Sequence, residues 1–146
     1  MRLRDEQMKT AIVCVADNLG VMFNHRRVSR DAAVTADILR LAQNAPLYLS
    51  PYSLPLFAQS PANIVCVNDF SGALPENAVC FFEDILPRPR MFDRLVLYRW
   101  NRDYPADTFF SVFPGEEGFA LLARTDFSGV SHPVVTREIY EKETAH

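Results

Sequence analysis

Short apolar runs separated by polar, turn-forming segments dominate this chain, and one segment repeats its apolar residues with a helical period. TAIVCVA, residues 10–16, is β-branched and apolar nearly throughout, which predicts a central strand buried on both faces. Asp17, Asn18 and Gly20 break that run. Ser29 is placed to cap a helix over about 30–44. Ala32, three residues after Ser29, leaves it without a capping box. Val34, Ile38, Leu41, Ala42 and Ala45 form the apolar face of that helix.

Leu47–Leu49 reads as a strand, and Pro51 and Pro55 confine the next segment to a short helix around 53–58. NIVCVND (63–69) and AVCFFED (78–84) read as strands on either side of the turn region FSGALPEN (70–77). Pro87 and Pro89 exclude a long helix over 85–92. DRLVLYRW (93–100) is a further strand, and RDYPADTFFSVF (102–113) is a loop running into a short extended piece. GFALLARTDF (118–127) and PVVTREIYEK (133–142) close the chain as an antiparallel hairpin with a long connection. The pattern therefore predicts an α/β fold of about seven strands and one main helix, in one domain over 1–146. Residues 1–9 and 143–146 are expected to be flexible ends.

Composition narrows the function. With 146 residues, 49% of them hydrophobic, the chain can build one substantial core. A net charge of -3 supplies no overall positive field, so general nucleic-acid binding is not expected. Local basic patches remain at Arg26, Arg27 and Arg30 and at Arg88 and Arg90. The opening MRLRDEQMKT has no apolar stretch of the kind a secretion signal carries, and no apolar run is long enough to span a membrane. Cys14, Cys66 and Cys80 lie in strand-like runs, which suits buried thiols in a reducing compartment and a cytoplasmic protein. Their spacing, with no C-x-x-C, predicts no metal site. No G-x-S-x-G and no G-x-x-x-x-G-K is present, so no nucleophile constellation or phosphate loop is legible.

Several residues carry candidate chemistry, each beside a plainer role. Asp31 heads the apolar stripe of the helix, with Val34 and Ile38 at i+3 and i+7. A carboxylate there can face a pocket and hold an amidine-like ligand edge by paired hydrogen bonds, with burial raising its pKa. Equally, an acid in a first turn answers the helix dipole. Asp17, Asn18 and Gly20 form either a mobile lid, with Gly20 at positive φ, or an ordinary turn. His25, Arg26 and Arg27 can contact an anion or simply be solvated. Asp107 and Thr108 either reach into the base of a pocket or end a loop after Pro105. Glu83 and Asp84, at a strand end, offer two of the oxygens a Mg²⁺ ion needs, without an obvious third acid. Tyr98 and Trp100 share a strand face and pack in the core or stack on a flat ligand.

Taken in order, these segments resemble dihydrofolate reductase in reduced form, over nearly the whole chain. TAIVCVADNLGVMF resembles that family's first strand and glycine loop, and Asp31 its acidic pocket residue. LYLSPYSLPLF, NIVCVND and AVCFFED resemble its next three strands and a short helix. DRLVLYRWNRDYPADTFF resembles its late strand and Asp-Thr pair, and GFALLARTDF with VTREIYEK its closing hairpin. The resemblance implies a dihydrofolate reductase-like central mixed sheet. It also implies a substrate cleft between the glycine loop and the first helix, and a Thr108 that bridges to Asp31. NADPH phosphates would lie on backbone amides at helix starts and on a paired-glycine turn.

The chain departs from the family at those cofactor positions. Pro51 removes a donor from Ser50-Pro51-Tyr52-Ser53, Phe82-Glu83-Asp84 stands in place of the glycines, and the helix between the third and fourth of the matched strands has shrunk to a turn. The expectation is therefore a small-ligand or protein binding module without classical reductase activity and without a cofactor. Its candidate ligand residues are Asp17, Asn18, Gly20, His25, Arg27, Asp31 and Thr108, and Asp31 and Thr108 are its catalytic candidates. The rivals are an NADPH-dependent reductase with an altered NADP site and a hydrolase or nuclease of another kind. The chain also looks similar to small bacterial proteins sometimes labelled ribonuclease Z. That class needs a histidine and aspartate cluster for two zinc ions, whereas His25, His132 and His146 stand far apart in sequence. The aromatic-rich terminal strands predict an edge that pairs in a homodimer.

Overall fold

The computed structural model describes residues 8–43, 45–57, 63–111 and 118–142. The expected tail at 143–146, and residues 1–7 of the expected flexible start, lie outside them. Met8 and Lys9, expected within that start, are fixed: Met8 is buried and the Lys9 N–H donates to Asp93 Oδ2 at 3.0 Å.

The main sheet has seven strands: β1 (Thr10–Val15), β4 (Leu47–Leu49), β5 (Ile64–Cys66), β6 (Val79–Phe82), β7 (Arg94–Arg99), β9 (Phe119–Phe127) and β10 (Val135–Lys142). Their spatial order is β5-β4-β6-β1-β7-β10-β9. β1 runs parallel to β6 and β7, and β4 runs parallel to β5 and β6. β10 is antiparallel to β7 and to β9, with a bulge between Ile139 and Tyr140. A smaller sheet joins β3 (Arg26–Arg27), β2 (Gly20–Phe23) and β8 (Thr108–Phe109) in that order. One helix, α1 (Ala32–Leu41), and two 3-10 turns, Leu54–Phe57 and Pro89–Met91, complete the described elements.

β1 is apolar nearly throughout because both of its faces are covered. Ala11, Val13 and Val15 pack with Phe82, Leu95, Leu97 and Phe110 on one side. Ile12 packs on the other with Val34 and Ile38 of α1 and with Val96, Tyr98 and Trp100. Each such buried Val, Leu or Ile contributes about 1.5–3 kcal/mol over leaving it exposed. Tyr98 and Trp100 are core residues, so the alternative of stacking on a flat ligand does not apply.

Several local expectations change. The helix begins at Ala32, and its N-cap is Asp31, whose side chain accepts from the Ala33 N–H; Ser29 lies two residues too early to cap it. Val34, Ile38 and Ala42 form its buried stripe, while Leu41 is exposed. The hairpin from β2 to β3 is not legible as strands in the sequence. Its turn residues Asn24 and His25 both have left-handed backbone, φ 50° and 64°. That is the geometry a two-residue hairpin turn requires, reached here without the usual glycine. Cys66 is exposed on the edge strand β5, unlike buried Cys80. Among the described residues no helix is long and apolar enough to cross a membrane.

Gly20 is not the left-handed residue of its turn; Leu19 is, at φ 67°. Glycine is needed at 20 for close approach. A Cβ there would lie 2.3 Å from Ala106 Cβ and 2.8 Å from Asn18 Oδ1. Gly20→Ala is therefore expected to destabilise the fold by about 1–3 kcal/mol through overpacking. A urea unfolding midpoint unchanged from the parent protein would contradict this.

Candidate functional site

Asp31 stands where the chain enters α1, opposite the loop that leads from β9 into β10. Its carboxylate is saturated by protein donors. Oδ1 accepts from the N–H groups of Ala33 (2.8 Å) and Val130 (2.9 Å). Oδ2 accepts from the N–H groups of Ser131 (2.8 Å) and His132 (3.1 Å), and lies 3.0 Å from His132 Nδ1 and 3.1 Å from Ser131 Oγ. Gly129 makes room for this, since a Cβ there would fall 2.6 Å from both Asp31 Oδ2 and the His132 carbonyl. Burial by itself would raise the Asp31 pKa. The Val130 N–H, the His132 ring and the Ser131 and Ala33 N–H groups outweigh it and hold the carboxyl well below the ordinary carboxylate range. The expectation of a raised pKa is thus reversed, because hydrogen bonding to the anion wins over desolvation.

His132 carries the arrangement outward. Its ring lies nearly parallel to Trp100, centroids 4.7 Å apart. With Nδ1 facing the Asp31 carboxylate, the proton belongs on Nδ1 and leaves the Nε2 lone pair free. Two hydroxyls meet Nε2: Tyr104 OH at 2.9 Å and Ser29 Oγ at 3.0 Å. Ser29 Oγ also lies 3.1 Å from Tyr104 OH. Sequence reasoning finds Asp31 but misses His132, Tyr104 and Ser131. About a hundred positions separate His132 from Asp31, and no spacing motif joins them.

Thr108 is not part of this cluster. It sits on β8, its hydroxyl 3.3 Å from Asp107 Oδ1, and among the described residues it has no bond to Asp31. Asp107 instead accepts from the Asn24 N–H at 2.9 Å and so holds the hairpin turn. Asp17, Asn18 and Gly20 form a turn tied to the 102–104 segment. The Asp17 N–H donates to the Arg102 carbonyl, Asn18 Nδ2 donates to the Tyr104 carbonyl, and Asn18 Oδ1 accepts from the Gly20 N–H. His25 is exposed at the tip of the hairpin, next to Asn24.

Arg27 turns inward. Its guanidinium bonds both oxygens of Glu83 at 2.8 and 3.1 Å and stacks 4.6 Å above the Tyr52 ring. Glu83 Oε1 also accepts from Ser53 Oγ at 2.8 Å, and Asp84 accepts from Ser50 Oγ at 2.7 Å. Among the described residues no three His, Cys, Asp or Glu side chains are placed to hold a metal. Cys14 borders the same region, and burial, with Glu83 adding to it, pushes its thiol well up, which makes it a poor nucleophile.

These side chains fill most of the space between β1, α1 and the 3-10 turn at Leu54–Phe57. A void of about 20 Å³ lies there and another of about 10 Å³ lies beside β2 and β3, both bordered by Cys14, Ser29, Glu83 and Trp100. Among the described residues the indole N–H of buried Trp100 has no hydrogen-bond partner. On the outer side of the hairpin lies an open groove of about 470 Å³ between Phe23–Val28 and Tyr104–Pro105. Arg27 and Val28 are walls common to the groove and to the smaller void.

No protein-family model and no curated protein sequence matches the chain. Among solved structures, it is similar to dihydrofolate reductase from Enterococcus faecalis complexed with NADP(H) and RAB-propyl, with a TM-score of 0.62 and 11% sequence identity. That match covers 95% of this chain and 98% of the other. At this identity the likeness establishes the fold, a dihydrofolate reductase-like α/β arrangement; the second resemblance, to ribonuclease Z, finds no counterpart in it.

Proposed function

We propose that this chain is a small-ligand binding module on a dihydrofolate reductase-like scaffold. Its ligand sits in the outer groove and not beside Asp31. The observation that carries this reading is a contrast in space: about 20 Å³ remains next to Asp31, room for one water-sized group, against about 470 Å³ in the groove. The groove also offers suitable chemistry. Phe23 presents an exposed ring, and the exposed Arg26 side chain has no partner among the described residues. A planar ring bearing a carboxylate or phosphate suits that pair, with the anion on the guanidinium.

The same reading assigns no nicotinamide dinucleotide to the chain, because the residues at the family's phosphate positions do not fit a pyrophosphate. At the first position the Ser53 and Leu54 N–H groups already donate to the Ser50 carbonyl. At the second, the exposed Asp84 carboxylate would face the phosphates with like charge, and the Glu83 side chain is already taken up by Arg27.

Titration with phenyl phosphate, followed by amide chemical shifts, tests the proposal. Shifts are expected at Phe23–Val28 and Tyr104, and Arg26→Ala should weaken binding about tenfold through loss of a charge-assisted hydrogen bond. Shifts confined to other surfaces would overturn the groove. Micromolar NADPH binding, or NADPH oxidation driven by dihydrofolate, would overturn the reading in favour of a reductase.

A further inference from the structure

We propose that Ser29 is an acylatable nucleophile, with His132 as its base and Asp31 as the positioning residue behind it. The three form the arrangement acyl transfer needs. A hydroxyl lies 3.0 Å from an imidazole Nε2, and the other ring nitrogen lies 3.0 Å from a buried carboxylate. Such a set is recognised by geometry and not by chain order, which here runs Ser29, Asp31, His132. The inference does not rest on the groove.

Three features go beyond what a structural pin requires. Asp31 already ties the loop to the helix through four backbone N–H groups, so the imidazole adds little to that role. The free side of the ring faces two hydroxyls, and Ser29 is half-buried, reachable from outside. The voids that Ser29 borders are also bordered by Trp100, whose buried N–H lacks a partner and is suited to an oxyanion. Tyr104 is the competitor for Nε2, and a substrate must displace its hydroxyl from the Ser29–His132 pair.

The chemistry closes without any other reagent. Ser29 Oγ attacks the ester carbonyl as its proton passes to His132 Nε2. The imidazolium that forms is stabilised by the Asp31 carboxylate. The Oγ–carbon bond forms, the carbon–oxygen bond to the leaving group breaks, and His132 returns the proton to the departing oxygen. A water then gives a proton to His132 and its hydroxide to the acyl carbon; the Oγ–carbon bond breaks, and Oγ recovers its proton. Ester and water become acid and alcohol. The voids alone hold about one water-sized group, so the acyl group is limited to formyl or acetyl, entering only as the Tyr104 hydroxyl moves away, and the substrate class is a formyl or acetyl ester whose leaving group stays outside.

p-Nitrophenyl formate and p-nitrophenyl acetate, each reacted with the full chain and mapped by peptide mass spectrometry, decide the matter. The expected result is one label per chain, on Ser29, formed roughly 100-fold faster than on the exposed Ser71. Ser29→Ala should abolish the label with an unchanged circular dichroism spectrum. Ser71→Ala, which removes the exposed reference hydroxyl, should leave the Ser29 label unaltered. No label on the parent protein, a label elsewhere, or a Ser29 rate no greater than that of Ser71 would each overturn the proposal.

Discussion

Asp31→Ala should lower the stability of this protein by about 3–5 kcal/mol, the range for removing one partner of a buried, hydrogen-bonded charge. The substitution deletes one helix cap and strips the bonds from the Val130, Ser131 and His132 N–H groups in one step. Those donors belong to the loop that carries β9 into β10, so the loss reaches both the helix start and the far end of the sheet. The effect depends on pH in a definite sense. Hydrogen bonding lowers the Asp31 pKa in the folded state below its unfolded value of about 3.9. Its contribution is therefore present in full above that value and is lost as pH falls through the folded one. Asp37 and Glu138 are shifted in the same direction and add to the acid sensitivity. Urea titrations at pH 7 and pH 3 check both statements: the gap between parent and variant should narrow at the lower pH. Equal gaps at the two values would show that Asp31 is not the linked group.

The pattern of apolar runs carries most of the architecture because each central strand answers to covered faces. TAIVCV could hardly be anything but a middle strand, and it pairs with β6 on one side and β7 on the other. The parts that escape a sequence reading are fixed by polar geometry. The β2–β3 hairpin turns on Asn24 and His25, neither of which announces a left-handed backbone as glycine would. Asp31 stands out for its place at the head of the apolar stripe, and the structure does bury it. Its ligands are backbone N–H groups from 130–132, however, and backbone donors leave no mark in a sequence. Ser29 is legible as a hydroxyl before a helix, but the cap it suggests is made by Asp31. Its nearness to His132 depends on tertiary folding alone. Arg27 reads as an outward side chain, contacting an anion or simply solvated, because adjacent arginines usually face water. Here Glu83, just past the core strand β6, draws it inward.

Polar side chains also meet midway along α1, where Asp37 faces β7 and β10. It accepts from Tyr98 OH at 2.6 Å and Arg40 Nη2 at 2.6 Å, and both its oxygens accept from Arg137 Nη1, at 3.0 and 2.7 Å. Burial would raise its pKa, but the Tyr98 hydroxyl and the two guanidinium groups together lower it. Asp37→Ala should cost about 3 kcal/mol, because it leaves the phenol of Tyr98, which is wholly buried, without an acceptor. Arg137 would suffer as well, since its Nε already lacks a partner among the described residues. Arg40 is largely exposed and can return to water, so Arg40→Ala should change stability by less than about 1 kcal/mol. The attribution to Tyr98 can be isolated by a double-mutant cycle. Asp37→Ala combined with Tyr98→Phe removes donor and acceptor together, and should cost less than the two single changes summed, by about 1–2 kcal/mol. Strict additivity in urea unfolding would mean that the Tyr98–Asp37 bond contributes nothing of its own and that the loss in Asp37→Ala comes from Arg137.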